Sequence, residues 1–394
     1  MSSDNNNNRV VYPKGRIDSN TSAAFLEEMT KAAEGLDGRV LDINMEGVEY
    51  VSSAGLRAFM KLKKDGVDFK LTELRPEVYD IFEVTGFTGL FEIKKALRTM
   101  SVEGCDVIGR GFYGTVYRID EDTIVKVYES PDSIPMIENE QKRAKQAFLK
   151  GIPTAISYDV VKIGNSYGSV FEMLKARTFN DIIIDEPEKA DETIKMYVDF
   201  VKLVHGTLMD PGSLPYASQQ FIGYLDEIKK YLGNNTYEKI RGYLDKFPED
   251  DHLVHGDIQM KNVMMVDGEP MLIDMDTLSA GHPIFDLAGL YVTYRSFEED
   301  EEDNSMKFLG ISNEMCERIW NGIMEGYFDG VSDEERTVIE NRIKLAAAVR
   351  FLYLIEIAGL KNNELGKIRI EHTLRHIDEL LESVDGLYFS YCHD

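Results

Sequence analysis

The alternation of apolar and polar positions over the first hundred residues changes period several times. RVVYPKGRI is extended and interrupted by Pro13 and Gly15. SNTSAAFLEEMTKAAEGL opens on capping-type Ser and Thr and brings Ala24, Phe25, Met29 and Ala32 onto one helical face. RVLDINM is a β-type run, AGLRAFMKLKKDG a helix ending at Gly66, and DFKLTEL a strand. PEVYDIFEVTGFTGLF then reads as a helix with Pro76 in its first turn. Short strands alternating with short helices predict a mostly parallel or mixed sheet with helices packed on it.

Beyond residue 100 the pattern changes. Residues 106–128 and 154–172 are rich in Val, Ile, Tyr and Thr and predict strands, with a helix over Ser133–Lys150 between them. From about residue 178 the spacing is mainly helical, except across LVHGDIQMKNVMMVDGEPMLIDMD. There Asp267-Gly268 joins two apolar runs as a two-residue hairpin turn. Ser332-Asp-Glu-Glu335 is a capping box opening the Ala-rich helix ERTVIENRIKLAAAVRFLYLIEIAGL. A small β-rich lobe followed by a larger helical lobe is predicted.

With 394 residues the chain suits two or three domains. Nearly all of the net charge of -26 lies beyond residue 100, which puts a boundary at KKALRTMSVEG and gives expected domains of 1–99, 100–177 and 178–394. So acidic a surface repels phosphate backbones and anionic lipid, so neither nucleic acid nor membrane is an expected partner. Cys105, Cys316 and Cys392 make no disulfide framework, and neither a leader nor a membrane-spanning stretch is read; a cytoplasmic, reducing location is expected. The scattered histidines show no metal-ligand spacing. The acidic run Glu298–Asp303 reads as a solvated loop, with attraction of a cationic substrate as the sharper alternative.

Candidate chemistry concentrates in three places. Gly109-Arg-Gly111-Phe-Tyr-Gly114-Thr-Val116 is a glycine run whose backbone N–H groups suit phosphate oxygens. A second β-type run follows it instead of a helix, which disfavours a dinucleotide fold. Lys126, in the middle of that run, costs desolvation unless it meets an anion, the bland reading being a snorkelling edge lysine. Glu140 and Glu138 on the next helix are candidates to hold it. In His255-Gly-Asp257-Ile-Gln-Met-Lys-Asn262, Asp257 fits a base for an acceptor hydroxyl. Asn262 and Asp274 of Asp274-Met-Asp276 fit Mg²⁺ ligands, against a reading as structural turns.

In order and spacing these motifs resemble the protein-kinase-like superfamily, and within it the aminoglycoside phosphotransferase and choline-kinase group. The H-G-D form and Asp-Met-Asp place the chain nearer these small-molecule kinases than protein kinases, and Asp286-Leu287-Ala288 matches the group's D-L-A, whose aspartate braces the catalytic loop. The resemblance implies a bilobal kinase-like fold, ATP and Mg²⁺ as cofactors, and transfer of the γ-phosphate to a hydroxyl. It selects Glu140 before Gly151-Ile152-Pro153 and makes Phe171-Glu172-Met173-Leu174 the hinge at adenine, through Glu172 and Leu174. A small-molecule acceptor is implied; the full glycine run keeps a protein acceptor open.

Val51-Ser52-Ser53-Ala54-Gly55-Leu56 begins a helix, where a serine either caps or, when phosphorylated, meets free N–H groups. With Gly15-Arg-Ile-Asp18, Leu41-Asp42 and Thr85-Gly86-Phe87, it resembles the STAS, or anti-sigma-factor antagonist, family over residues 9–95. Aligning Gly55-Leu56 makes Ser53 the candidate phosphoacceptor. Ser52 stands where regulated members often carry Asp, so docking of a protein partner without phosphorylation is the alternative. The leading expectation is an ATP·Mg²⁺-dependent phosphotransferase with a STAS module. The second is a signalling adaptor whose kinase-like part only binds nucleotide, and a third is phosphorylation of Ser53 by the kinase-like part itself.

Overall fold

The computed structural model describes residues 9–36, 38–111, 114–130 and 132–391. The Asn5–Asn8 run, Phe112 and Tyr113 of the glycine run, Cys392 and His393 lie outside the described residues. Two compact units emerge, one through Ser101 together with Val160–Asn165, the other Val102–Asp159 with Ser166–Asp394.

The first unit contains β1 (Val10–Val11), β2 (Gly15–Ile17), α1 (Ser22–Ala33), β3 (Leu41–Asn44), β4 (Val48–Val51), α2 (Ser53–Lys64), β5 (Phe69–Leu74), α3 (Pro76–Val84), β6 (Glu92–Lys95) and β7 (Arg98–Thr99). Strands β1, β3, β5 and β6 form a parallel sheet in that order, and β2 pairs in parallel with β4. Strand periodicity buries Leu41 and Ile43 fully while Asp42 and Asn44 stay half-buried. On α2, Phe59 sits at the centre of an aromatic cluster, its ring centroid 4.9 Å from Phe25 and 5.5 Å from Phe82. Helix α3 is shorter than the apolar pattern predicts. The Thr85 hydroxyl donates to the Ile81 carbonyl, Gly86 takes φ +76°, and Phe87–Gly89 continues as a 3₁₀ turn.

In the second unit β8 (Asp106–Arg110), β9 (Gly114–Arg118) and β10 (Thr123–Tyr128) run antiparallel. Then come α4 (Ile134–Leu149) and β11 (Asp159–Ile163), whose Val161 and Lys162 pair with β7. Strand β12 (Ser166–Glu172) closes on β10. The helical part comprises β13 (Arg177–Thr178), α5 (Phe179–Asp185), α6 (Ala190–His205), α7 (Ala217–Ile228), α8 (Asn234–Leu244), β14 (Leu253–Val254), β15 (Val263–Val266), β16 (Glu269–Leu272), β17 (Ser279–Ala280), α9 (Ile284–Tyr291), α10 (Asn304–Phe308), α11 (Asn313–Tyr327), α12 (Asp333–Ile357) and α13 (Glu364–Ser383). Asp267 and Gly268, both at positive φ, form the two-residue turn between β15 and β16. Buried Ala346 and Ala347 on α12 permit close packing with α9. Among the described residues no helix is long and apolar enough to cross a membrane.

The acidic run is not a free solvated loop. Glu298 is buried and accepts the Ser305 backbone N–H. Glu299 pairs with His376 at 3.0 Å, Asp300 with His372, and Glu301 with Lys307 at 2.6 Å, while Arg369 of α13 donates to the Phe297 carbonyl. Cations from α13, distant in sequence, hold most of the run.

Candidate active site

The glycine run spans the β8–β9 turn. A Cβ at Gly114 would lie 2.2 Å from the Val127 carbonyl oxygen, so glycine is required there for β9 to approach β10. Gly109 and Gly111 are not sterically forced: a Cβ would meet Val116 at 3.6 Å and the Gly114 oxygen at 3.8 Å. The Gly111 N–H instead closes the turn on the Gly114 carbonyl at 2.9 Å. Val116 is paired directly with Lys126 across β9 and β10, so their side chains share one face of the sheet.

From that face the Lys126 ammonium reaches Glu140 at 3.2 and 3.3 Å and Asp274 at 2.6 Å. Burial alone would strip its proton, but the Glu140 and Asp274 carboxylates outweigh burial and hold it charged well above the usual lysine range. Glu140 is buried on α4, whereas Glu138 is exposed. The Tyr128 hydroxyl donates to Glu140 at 2.6 Å, and burial together with that carboxylate pushes the phenol well above its ordinary value.

The H-G-D segment leaves β14 and is braced from below by Asp286. The backbone N–H groups of His255 and Gly256 donate to its carboxylate at 2.8 and 2.6 Å, and the His205 ring lies 3.0 Å from it. Burial pushes the Asp286 carboxyl up, but His205 and these donors bring it below the usual range. Gly256 has φ +87°, and a Cβ there would meet the Thr277 Cβ and carbonyl at 2.8 Å, so no larger residue fits between Asp286 and Thr277. Asp257 then presents a carboxylate that accepts Gln259 Nε2 at 3.2 and 3.1 Å and Asn262 Nδ2 at 2.9 Å.

Beyond β16, Asp274 adopts the left-handed region at φ 63°, ψ 69°, a strained conformation for a non-glycine residue. Burial first, and then the Asp274, Glu140 and Asp257 charges, push the Asp276 carboxyl up to about 7 against the pull of Lys126. Arg143, one helical turn after Glu140 on α4, donates to the Asp276 main-chain carbonyl. Three separated stretches of chain thus meet around Lys126, Glu140 and Asp274, with Asp257 and Asn262 joined beside Asp276.

The family model for the phosphotransferase enzyme family matches residues 105–310, over half of the chain. The chain belongs to that family. A STAS domain model matches residues 3–100, so the phosphotransferase domain follows an N-terminal STAS domain. Among solved structures, the apo form of a thermostable mutant of aminoglycoside phosphotransferase APH(4)-Ia matches with a TM-score of 0.50 at 10% identity, over 71% of this chain and 94% of its own. A choline/ethanolamine kinase family protein from Mesorhizobium loti matches at 0.45 and 15% identity, over 71% and 88%. The first likeness shows the protein-kinase-like fold. No curated protein matches the chain.

At the edge of the phosphotransferase domain's strand β12, the Met173 N–H donates to the Asp122 carbonyl at 2.8 Å. A cavity of about 590 Å³ opens here, lined by Met173, Leu174, Ala176, Ile182 and Met265 among others. Leu174 lines it; Glu172 is exposed and paired with Thr123 in the ladder, and is not among the lining residues. In the STAS domain Ser52 caps α2, its hydroxyl accepting the Ala54 N–H at 3.1 Å, while Ser53 is the exposed first helical residue. Sequence reasoning missed Tyr128, Arg143 and Gln259. Tyr128 lies two positions after Lys126 on the same strand face and Arg143 lies at i+3 from Glu140 on α4, so only the two spacings carried a signal.

Proposed function

We propose that the phosphotransferase domain transfers the γ-phosphoryl group of ATP to a hydroxyl acceptor, using Mg²⁺, and that the STAS domain serves regulation or docking of a protein partner. The observation that supports this most directly is the convergence on Lys126, whose ammonium bridges Glu140 and Asp274 beside the Asp257–Asn262 pair. The donor set suits the metal. Among the described residues no three His, Cys, Asp or Glu side chains are grouped to hold a metal ion. Mg²⁺ needs no such cage, because it takes one or two protein oxygens and fills its remaining positions with phosphate and water. Asp274 and the amide oxygen of Asn262 would hold it, and when bound it neutralises charge on the phosphates.

In this reading Gly109, Gly111, Gly114 and Val116 cover the nucleotide, and Leu174 borders the adenine, with Glu172 assigned to the hinge backbone alone. Lys126 exchanges Asp274 for phosphate oxygens while Glu140 keeps its ammonium oriented. The two amide donors from Gln259 and Asn262 turn the Asp257 carboxylate toward the acceptor. The acceptor oxygen forms a bond to the γ-phosphorus as its proton passes to Asp257. The bond from that phosphorus to the β–γ bridging oxygen breaks, and ADP departs with the electron pair.

The test is ATP consumption by the full chain with Mg²⁺ and a panel of amino sugars, amino alcohols and polyols, with mass spectrometry of the products. Asp257→Ala is expected to lower turnover by about 10²–10⁴-fold with unchanged folding. Metal-dependent turnover that survives this substitution would contradict the mechanism. For the STAS domain, the exposed Ser53 supports a phosphoacceptor role, which intact-mass measurement after incubation with ATP and candidate kinases decides.

A further inference from the structure

We propose that Arg143 is a positioning residue that sets the Asp274–Asp276 segment against α4, so that the Lys126–Glu140 pair and the metal-holding segment are placed by a single helix. The inference rests on the proposed function and assigns a residue to that site. Glu140 and Arg143 are three positions apart on α4 and therefore project from the same face. Glu140 reaches forward to Lys126 on β10, while Arg143 donates to the main-chain carbonyl of Asp276. The turn over Met275–Thr277 packs directly on α4, and Glu140, Gln141, Asp274 and Met275 border one small crevice between them.

The segment needs such a tie for two reasons. Asp274 holds a left-handed backbone conformation that a non-glycine residue keeps only when its surroundings enforce it. Asp274 and Asp276 also stand close to the further carboxylates of Glu140 and Asp257, and that mutual repulsion works to spread the segment. Arg143, half-buried with its charge toward Asp276 and Glu140, opposes the repulsion and anchors the backbone in the same contact. A guanidinium supplies several donors in a fixed plane, and a lysine at the same position reaches the carbonyl with one.

The test uses the full chain with Arg143→Met and Arg143→Lys. In the nucleotide-free protein, hydrogen exchange of amides 274–280 is expected to rise in Arg143→Met, while the core of α12 keeps its protection. In calorimetric Mg²⁺ titrations in the presence of AMP-PNP, the apparent metal affinity is expected to fall by about tenfold in Arg143→Met, the range typical of residues that orient metal ligands. Arg143→Lys is expected to recover most of that loss, which a merely structural contact would not produce. Variants indistinguishable from wild type in both measurements overturn the inference, as does a loss of protection spread equally over α12; if Arg143→Met does not fold, Arg143→Lys matching wild type in both does the same. Failure of the proposed function shows differently, as wild-type protein that binds no AMP-PNP, and removes this inference with it.

Discussion

Gly256 shows how much a single position constrains this site. Its positive φ and the 2.8 Å approach of Thr277 leave no room for a side chain, and both neighbours of the glycine are committed. His255 gives its N–H to Asp286, and Asp257 carries the proposed chemistry. Gly256→Ala is expected to cost about 1–3 kcal/mol through backbone strain and contact, read as a lower Tm. It is also expected to lower turnover by displacing Asp257. A Tm and turnover equal to wild type would mean that the loop relaxes without consequence.

His282 is a second residue with a measurable signature. Its Nδ1 accepts the Ile284 N–H, so Nε2 carries the proton and donates to the Phe389 carbonyl at 2.7 Å. Burial pushes this imidazole down to about 4 from its ordinary 6.5. Between those values the unfolded chain binds a proton that the folded one refuses, so stability rises with pH from about 4 to 6.5 and is lost on acidification through that window. Urea midpoints at pH 5 and pH 7 are expected to differ less in His282→Gln than in wild type. An unchanged difference would exclude His282 as the titrating group.

At the scale of elements, local signals were legible where one stretch of chain determines its own shape. The Asp267-Gly268 hairpin, the caps and the apolar faces of α1 and α2 follow from period and turn chemistry alone. At α12 the Ser332 hydroxyl accepts the Glu335 N–H at 3.3 Å, the half of the predicted capping box that the structure supplies. Ser332→Ala is expected to destabilise the second unit by about 1 kcal/mol, measured by urea unfolding; a change below error would mean solvent replaces the cap. The site was legible as residue types, since Lys126, Glu140, Asp257, Asn262 and Asp274 were all candidates. What sequence could not convey was which partners meet across the chain. The Lys126–Asp274 contact, the Arg143 tie and the docking of the acidic run each join residues far apart in sequence, where neither period nor spacing carries information.

For the molecule as a whole, the apolar core of the first unit is drawn entirely from Ile17–Phe91, and the core of the second begins at Ala144. No residue is shared between them. A fragment ending at residue 97 is therefore expected to unfold cooperatively with its aromatic cluster intact, seen as a near-UV circular dichroism transition. A fragment lacking that transition would show that β7 and its β11 partner are needed for the fold.

The acidic run carries a further consequence. Arg369, His372 and His376 all belong to α13, the last helix. That helix is in effect a tethered counter-ion, and clipping the polypeptide near residue 363 would withdraw these three partners in a single event. Left with Lys307 as its neighbouring cation, the run would be swollen by its own repulsion. Such a nick would then be felt first at the Ser305 amide that Glu298 accepts, well inside the fold.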